Sequence, residues 1–217
     1  MRRLACALFL AASLSLIGHA PSSAQTDDDG YNWAPYAAVS GGGIWPELEL
    51  SEPVGSGEKG IPAAQTRVPD TFMYFGVEVA AAVGLEMPWL RWDVAEFAYN
   101  WANSSVNGVE GSTSLISLGT GFRVGPFRKG LPVYPYLSLG FAGGRIATDG
   151  PGIFSSFSDW GFQWNAGIGV EARVLDRLRV GLRYRYRSTS IEFVPSYGFG
   201  TYYTDLNLQT LSLEVVY

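Results

Sequence analysis

The stretch Leu211-Ser212-Leu213-Glu214-Val215-Val216-Tyr217 closes the sequence on an aromatic ring. Leu211, Leu213, Val215 and Tyr217 alternate with Ser212 and Glu214, and Val216 is the exception. A period of two sends successive side chains to opposite faces of a β-strand. Such a strand presents a continuous apolar face, which has to be covered. The segments upstream indicate that the cover is lipid.

At the N-terminus, Arg2 and Arg3 precede an uncharged apolar stretch from Leu4 to Ile17, and Ser22-Ser23-Ala24 places small residues before Gln25. This is the order of a secretory signal peptide, with an apolar part too short for a spanning helix. The expected division is a leader over 1–24 and one domain over 25–217. Cys6 precedes the apolar run, which does not fit a lipoprotein signal. Cys6 and His19 are the only cysteine and histidine of the chain, and both would leave with the leader. A mature chain without thiol or imidazole excludes disulfides, His- or Cys-ligated zinc and histidine-dependent nucleophilic catalysis. The expectation is therefore no enzyme activity, no metal and no cofactor. Without Arg2 and Arg3, 13 basic residues face 20 acidic ones, a formal balance of −7. An acidic chain with scattered arginines does not suit nucleic acid.

Between these ends the chain reads as alternating runs separated by turn-rich stretches. In 162–174, Phe162, Trp164, Ala166, Ile168, Val170, Ala172 and Val174 share one phase, and Gln163, Asn165, Gly167, Gly169, Glu171 and Arg173 the other. Leu178, Val180, Leu182, Tyr184 and Tyr186 then alternate with Arg179, Gly181, Arg183, Arg185 and Arg187. Similar runs occupy 73–85, 116–124 and 136–141, with a Gly-rich one over 36–45 and the last over 209–217. The run from Leu90 changes phase near Ala95-Glu96, which predicts a β-bulge. Eight strands result. Their connections, roughly 46–71, 85–89, 102–112, 125–132, 145–159, 175–177 and 188–204, alternate long and short, as expected when both chain ends lie on the periplasmic side of a membrane barrel.

A soluble barrel would turn its apolar phase inward. Here that phase is too rich in Trp, Phe and Tyr for a small interior, and the charged phase is rich in glycine. Aromatic residues also recur near strand ends (Trp45, Phe72, Trp89, Trp101, Trp160, Tyr217), where interfacial girdles sit. The fold expected is an all-β, eight-stranded antiparallel transmembrane barrel with apolar residues toward lipid. Inward charges then need partners. The cations are Arg91, Arg123, Arg173, Arg179, Arg183, Arg185 and Arg187; the anions are Glu78, Asp93, Glu96, Glu171 and Glu214. Glu171 should lie diagonal to Arg179 or Arg183. An arginine-lined anion path is one reading, and a paired network that closes the lumen is the favoured one, since side chains can fill an eight-stranded barrel.

Together these residues resemble the small outer-membrane β-barrel proteins of Gram-negative bacteria, the OmpA-like and opacity type. The resemblance rests on the leader, on Tyr136-Leu137-Ser138-Leu139-Gly140-Phe141 and Gly167-Ile168-Gly169-Val170-Glu171, and on Leu211, Leu213, Val215 and Tyr217. It implies an outer-membrane location, lipid as surroundings, and a C-terminal signal (Leu211, Leu213, Val215, Tyr217) read by the barrel-insertion machinery. The family usually ends in Phe, so Tyr217 departs from the pattern. Gln209 departs further, standing polar where the apolar series should continue. Enzymes among small outer-membrane barrels use a histidine, so the resemblance transfers no activity.

Function is expected in the loops, because binding residues concentrate where a rigid scaffold displays them. The segment 47–70 is acidic. Ile153, Phe154 and Phe157, then Ile191, Phe193, Tyr197, Phe199, Tyr202 and Tyr203, are candidate contacts for a host or surface ligand, or rings that extend the strands and pack over the barrel mouth. Three apparent motifs are discounted. Gly119-Thr120-Gly121 with Gly125 lies on a strand without a following helix. Asp27-Asp28-Asp29-Gly30 lacks the rest of a calcium loop. Asn103-Ser104-Ser105 is a glycosylation acceptor without meaning in a bacterial envelope. The expected role is a surface-interaction scaffold, with a narrow channel for small anions as the alternative. Intact-mass measurement of the exported protein should find Gln25 as the first residue and no reaction with thiol reagents; retention of Cys6 would contradict the leader assignment.

Overall fold

The computed structural model describes residues 33–50, 71–106, 109–127, 131–149, 157–175, 177–193 and 202–217. Among these, eight strands follow in chain order: β1 (Ala34–Leu50), β2 (Thr71–Glu86), β3 (Leu90–Val106), β4 (Val109–Val124), β5 (Val133–Asp149), β6 (Phe157–Arg173), β7 (Arg179–Phe193) and β8 (Tyr202–Val216). Each pairs antiparallel with its sequence neighbour, and β8 returns to β1, closing an up-and-down barrel. Closure removes the continuous free edge that an open sheet would present to lipid, so the ladder is satisfied between strands and not by water. Both ends of the chain of strands emerge at one rim, here the terminal end, where Tyr217 N–H donates to Ala37 O at 2.8 Å. The opposite rim is the loop end.

The side-chain phases agree with the alternation in the sequence. Phe75, Leu118, Leu137, Phe162, Ile168 and Leu213 are 57–64% exposed on the outer face, whereas Glu78, Arg91, Arg123 and Glu171 are at most 1% exposed inside. The predicted bulge is present. Val83 pairs with Ala95 but Gly84 with Asp93, and the β3–β4 register jumps between Asp93 and Glu96. The extra residue lets Asp93 and Glu96, of opposite sequence parity, both face the lumen.

The connections differ from expectation. β3 runs to Val106 and β4 begins at Val109, so their connection is only 107–108 and not 102–112. At the terminal end, 125–132 is longer than that. Loop sorting by length therefore holds less cleanly than the sequence suggests, because strands extend through polar segments that carry no lipid-facing signal. At about 3.3 Å per residue a 17-residue strand is about 56 Å long, while a tilted transmembrane strand needs only about 9–11 residues. The excess stands beyond the bilayer.

That excess explains Gln209. In β8, Leu211, Leu213 and Val215 point outward, but Leu206 and Leu208 point inward, at 1% and 2% exposure, and the register with both neighbours is unbroken. The apolar residues have changed face without a bulge, and Gln209 stands at the change. It pairs with Trp45 of β1 and Tyr186 of β7 in the aromatic girdle, and its amide oxygen accepts from Tyr184 Oη at 3.0 Å. Beyond the girdle, Ile44, Ala102, Leu115, Ile146, Leu206 and Leu208 form a buried apolar cluster inside the barrel. Glu47, Asn103, Arg145 and Ser190 are exposed at this end. Below Trp45 the apolar face is the outer one; above it the buried apolar residues lie inside, where β1 still pairs with β8 but its register with β2 has ended at Ile44–Gly76. Val216, the exception in the terminal segment, is likewise inward, packed with Tyr36, Ala38 and Ala82.

Tight inner packing depends on glycine at specific places. A Cβ on Gly169 would lie 2.3 Å from the ring of Tyr136, and one on Gly84 2.8 Å from that of Tyr36. The aromatic ring covers the backbone that glycine leaves bare. Gly169→Val should destabilise the barrel by about 1–3 kcal/mol through overpacking. Urea unfolding in lipid vesicles measures this, and an unchanged midpoint would contradict the packing.

Candidate functional site

Inside the membrane zone the lumen is filled by six arginines interlocked with six carboxylates: Arg91, Arg123, Arg179, Arg183, Arg185 and Arg187 against Glu78, Glu86, Asp93, Glu96, Glu171 and Glu214. Their positions follow from strand phase. β7 supplies arginines at inward positions 179, 183, 185 and 187, and β2, β3, β6 and β8 supply acids that meet them and the arginines of β3 and β4.

Nearest the terminal end, Arg91 forks onto Glu171, with Nη1–Oε1 at 2.6 Å and Nη2–Oε2 at 3.1 Å, and binds Glu86 through Nη2 at 2.6 Å. Its guanidinium lies between the rings of Tyr36 and Phe127, 4.7 and 4.3 Å from their centroids, a cation–π arrangement on both faces. Arg179 reaches the same Glu86 at 2.6 Å and Glu171 at 3.6 Å. One layer deeper, Arg123 donates Nε–H to Asp93 at 2.9 Å and Nη1–H to Glu214 at 2.7 Å. Tyr36 donates to Asp93, and Tyr136 donates to Glu214 at 3.0 Å. At mid-barrel, Glu78 takes Arg185 at 2.9 Å and also Arg187, while Glu96 binds Arg185 and, at 3.3 and 3.6 Å, Arg187 and Arg183. Above them Gln163 donates to Thr189 at 2.9 Å, and the apolar cluster around Leu115 follows.

Formal charges balance within this network, and nearly all of it is buried. An ion pair in such a place contributes less than its Coulomb energy suggests, because both partners lose hydration. Loss of one partner is what costs most. The arrangement can hold the barrel shut and fix its register. Among the described residues no group of three His, Cys, Asp or Glu could hold a metal. A cavity of about 20 Å³ lies between Arg183 and Arg185 and the small residues of β4 and β5, among them Gly121, Ser138 and Gly140.

A closed eight-stranded barrel that is apolar outside and ion-paired within has its counterpart in known proteins: the family described as outer membrane protein beta-barrel domain matches residues 9–217. The chain is an outer-membrane β-barrel protein. Among solved structures it is similar to Neisserial surface protein A (NspA), with TM-score 0.54 at 18% identity over 85% of this chain and 97% of that one. It is also similar to the outer membrane protein OprG from Pseudomonas aeruginosa, with TM-score 0.51 at 11% identity over 85% and 96%. At these identities the likeness is one of fold. No curated protein sequence matches. The outer-membrane barrel fold places the chain in the Gram-negative outer membrane.

Of the lumen residues expected from sequence, the structure joins all but one. Arg173 makes no ion pair among the described residues; it sits at the terminal mouth with its guanidinium 5.6 Å from the ring centroid of Tyr134. Glu171 engages Arg179 as expected, but its shortest partner is Arg91 and not Arg183. Glu86, Tyr36 and Phe127 were missed. Extending the inward phase of β2 past Gly84 would have found Glu86, and the inward phase of β1 contains Tyr36; Phe127 enters from a turn, where alternation carries no information. Leu211, Leu213 and Val215 face lipid, and Tyr217 is partly exposed at the terminal rim. Among the loop aromatics, Phe157 opens β6, Phe193 ends β7 opposite Tyr202, and Tyr203 pairs with Glu192, so these four are strand residues. Phe154, Tyr197 and Phe199 lie outside the described residues.

Arg123→Ala leaves Asp93 buried without a guanidinium and Glu214 with only Arg183 at 3.8 Å, and should lower stability by about 3–5 kcal/mol. Arg173→Ala, outside the network, should cost less than about 1 kcal/mol. Equal shifts of the urea midpoint for the two variants would contradict the assignment.

Proposed function

We propose that this outer-membrane protein is a surface-display scaffold: a lipid-embedded barrel with a closed lumen that holds its loops toward the exterior, where they contact a host or envelope component. The terminal end faces the periplasm and the loop end the outside. The observation that carries the reading is the filled lumen, in which the neutralised arginine–carboxylate network is followed by the apolar layer of Ile44, Leu115, Ile146, Leu206 and Leu208. A permeating ion would have to break paired charges and then cross that mainly apolar layer, where only hydroxyls such as those of Thr113 and Thr189 stand among the described residues. Catalysis has no part in this proposal, and lipid and the insertion machinery are its constant partners.

The cavity beside Arg183 favours a second reading, a narrow path for small anions. Its volume of about 20 Å³ suffices for about one water molecule, which supports local hydration more than a continuous pore. Planar-bilayer recording of the purified protein separates the two readings. The scaffold reading expects insertion without discrete conductance steps. Steps whose size changes in Arg183→Ala would overturn it.

A further inference from the structure

The outer face of β4, β5 and β6 has a gap in its apolar cover. Leu118 of β4 and Phe162 of β6 are the register partners of Gly143 in β5. Both are 61% exposed, and Gly143 between them is exposed as well. A Cβ added to Gly143 would meet no atom within 4 Å, whereas one on Gly43, also facing outward, would meet the ring of Phe75. The space over Gly143 is thus a notch walled by Leu118 and Phe162. Phe141, stacked on Phe162 with centroids 6.0 Å apart, closes its terminal end.

One step toward the loop end stands Arg145, in the same outward phase and exposed. Its register partners are Ile116 and Trp160, both exposed on the outer face. An exposed tryptophan at the edge of an apolar surface marks the membrane interface, which sets Arg145 at headgroup height. The acids of these strands lie elsewhere. Asp159 belongs to the opposite phase, and its carboxylate accepts from Trp160 N–H at 2.7 Å. Asp149 stands four residues further along β5, about 13 Å nearer the loop end. Glu110 is six residues beyond Ile116 in β4, about 20 Å away. The connections 107–108 and 150–156 at this rim contain no charged residue. A cation directly above an apolar notch matches a molecule with an anionic head and a hydrocarbon tail.

We propose that this face binds a phosphorylated glycolipid of the lipid A type, with a phosphate on Arg145 and one acyl chain in the notch over Gly143. Such glycolipids build the outer leaflet of a Gram-negative outer membrane, and Arg145 stands at the loop end. The proposal therefore rests on the outward orientation of the loop end given above, and it is independent of whether the lumen conducts. The bound lipid gives the barrel a preferred neighbour on one side and fixes its depth there.

The test uses the protein purified in non-ionic detergent, with native mass spectrometry comparing retention of diphosphoryl lipid A, phosphatidylglycerol and phosphatidylethanolamine at equal concentration. One surface cation contributes about a fivefold preference for an anionic lipid. The wild-type protein should retain lipid A about fivefold better than phosphatidylethanolamine or more, and Arg145→Gln should lose about that factor. Gly143→Leu puts its side chain into open space, so it should keep the heat-modifiable folded form on gels and still lose lipid A. Arg177→Ala, at the terminal rim, should leave retention unchanged. Equal retention of the three lipids, or undiminished retention of lipid A in either Arg145→Gln or Gly143→Leu, would overturn the proposal. Phosphatidylglycerol held as well as lipid A, or displacement of lipid A by millimolar inorganic phosphate, would mark a site for any phosphate and also overturn it. Labelling of Ser190→Cys in intact cells by a membrane-impermeant maleimide reports the orientation separately. Failure of that labelling would overturn the orientation and the proposal together; labelling without lipid A preference would overturn the proposal alone.

Discussion

Inside a cylinder wrapped in hydrocarbon, an unpaired guanidinium costs several kcal/mol, and Arg123, with no exposed surface, is where this constraint acts hardest. Asp93 meets it from the neighbouring β3 and Glu214 from β8 across the lumen, and Tyr36 and Tyr136 hold those carboxylates in turn. The bulge in β3 follows from the same demand. Without it, Asp93 and Glu96 would face opposite sides of the sheet, and one carboxylate would enter lipid. The glycines opposite Tyr36 and Tyr136 leave room for the rings that orient the acids. Pairing thus dictates register, bulge placement and inner packing together.

The outer face obeys the complementary rule. Polar side chains that stand there have partners: Trp92 donates its indole N–H to Thr120 at 2.9 Å, Thr120 donates to Asp93 O at 2.7 Å, and Gln209 accepts from Tyr184. Above the girdle the requirement reverses, since polar residues such as Glu47, Asn103, Arg145 and Ser190 are exposed and the buried cluster inside is apolar among the described residues. Leucine and isoleucine then fill the lumen, as in a soluble barrel. β8 keeps an unbroken register with β1 and β7 while its hydrophobic face changes side.

The strand phases, the strand count and most of the network were legible in the sequence because alternation is a direct record of two solvents. Glu171 and Glu214 were readable as lumen anions for that reason. The reversal at Gln209 looked like an irregularity, because a single-solvent reading of β8 has no place for Leu206 and Leu208 facing inward. The length of β3 and β4 was hidden in Asn103-Ser104-Ser105 and Glu110-Gly111-Ser112, residues that resemble a loop and yet pair in register. Phe127 was invisible because a turn has no periodicity. What the loops bind lies beyond any of these patterns, since recognition there depends on side-chain chemistry and not on phase.

The central claim is that hydrocarbon covers the outer face only below Trp45 and Gln209. Single nitroxide labels at Leu139, Leu213, Asn103 and Ser190 of the barrel in lipid vesicles, with relaxation by oxygen compared against relaxation by a water-soluble nickel complex, test it most directly. Oxygen should dominate at Leu139 and Leu213, and nickel at Asn103 and Ser190. Lipid-like relaxation at all four sites, or nickel access at Leu139, would contradict the account.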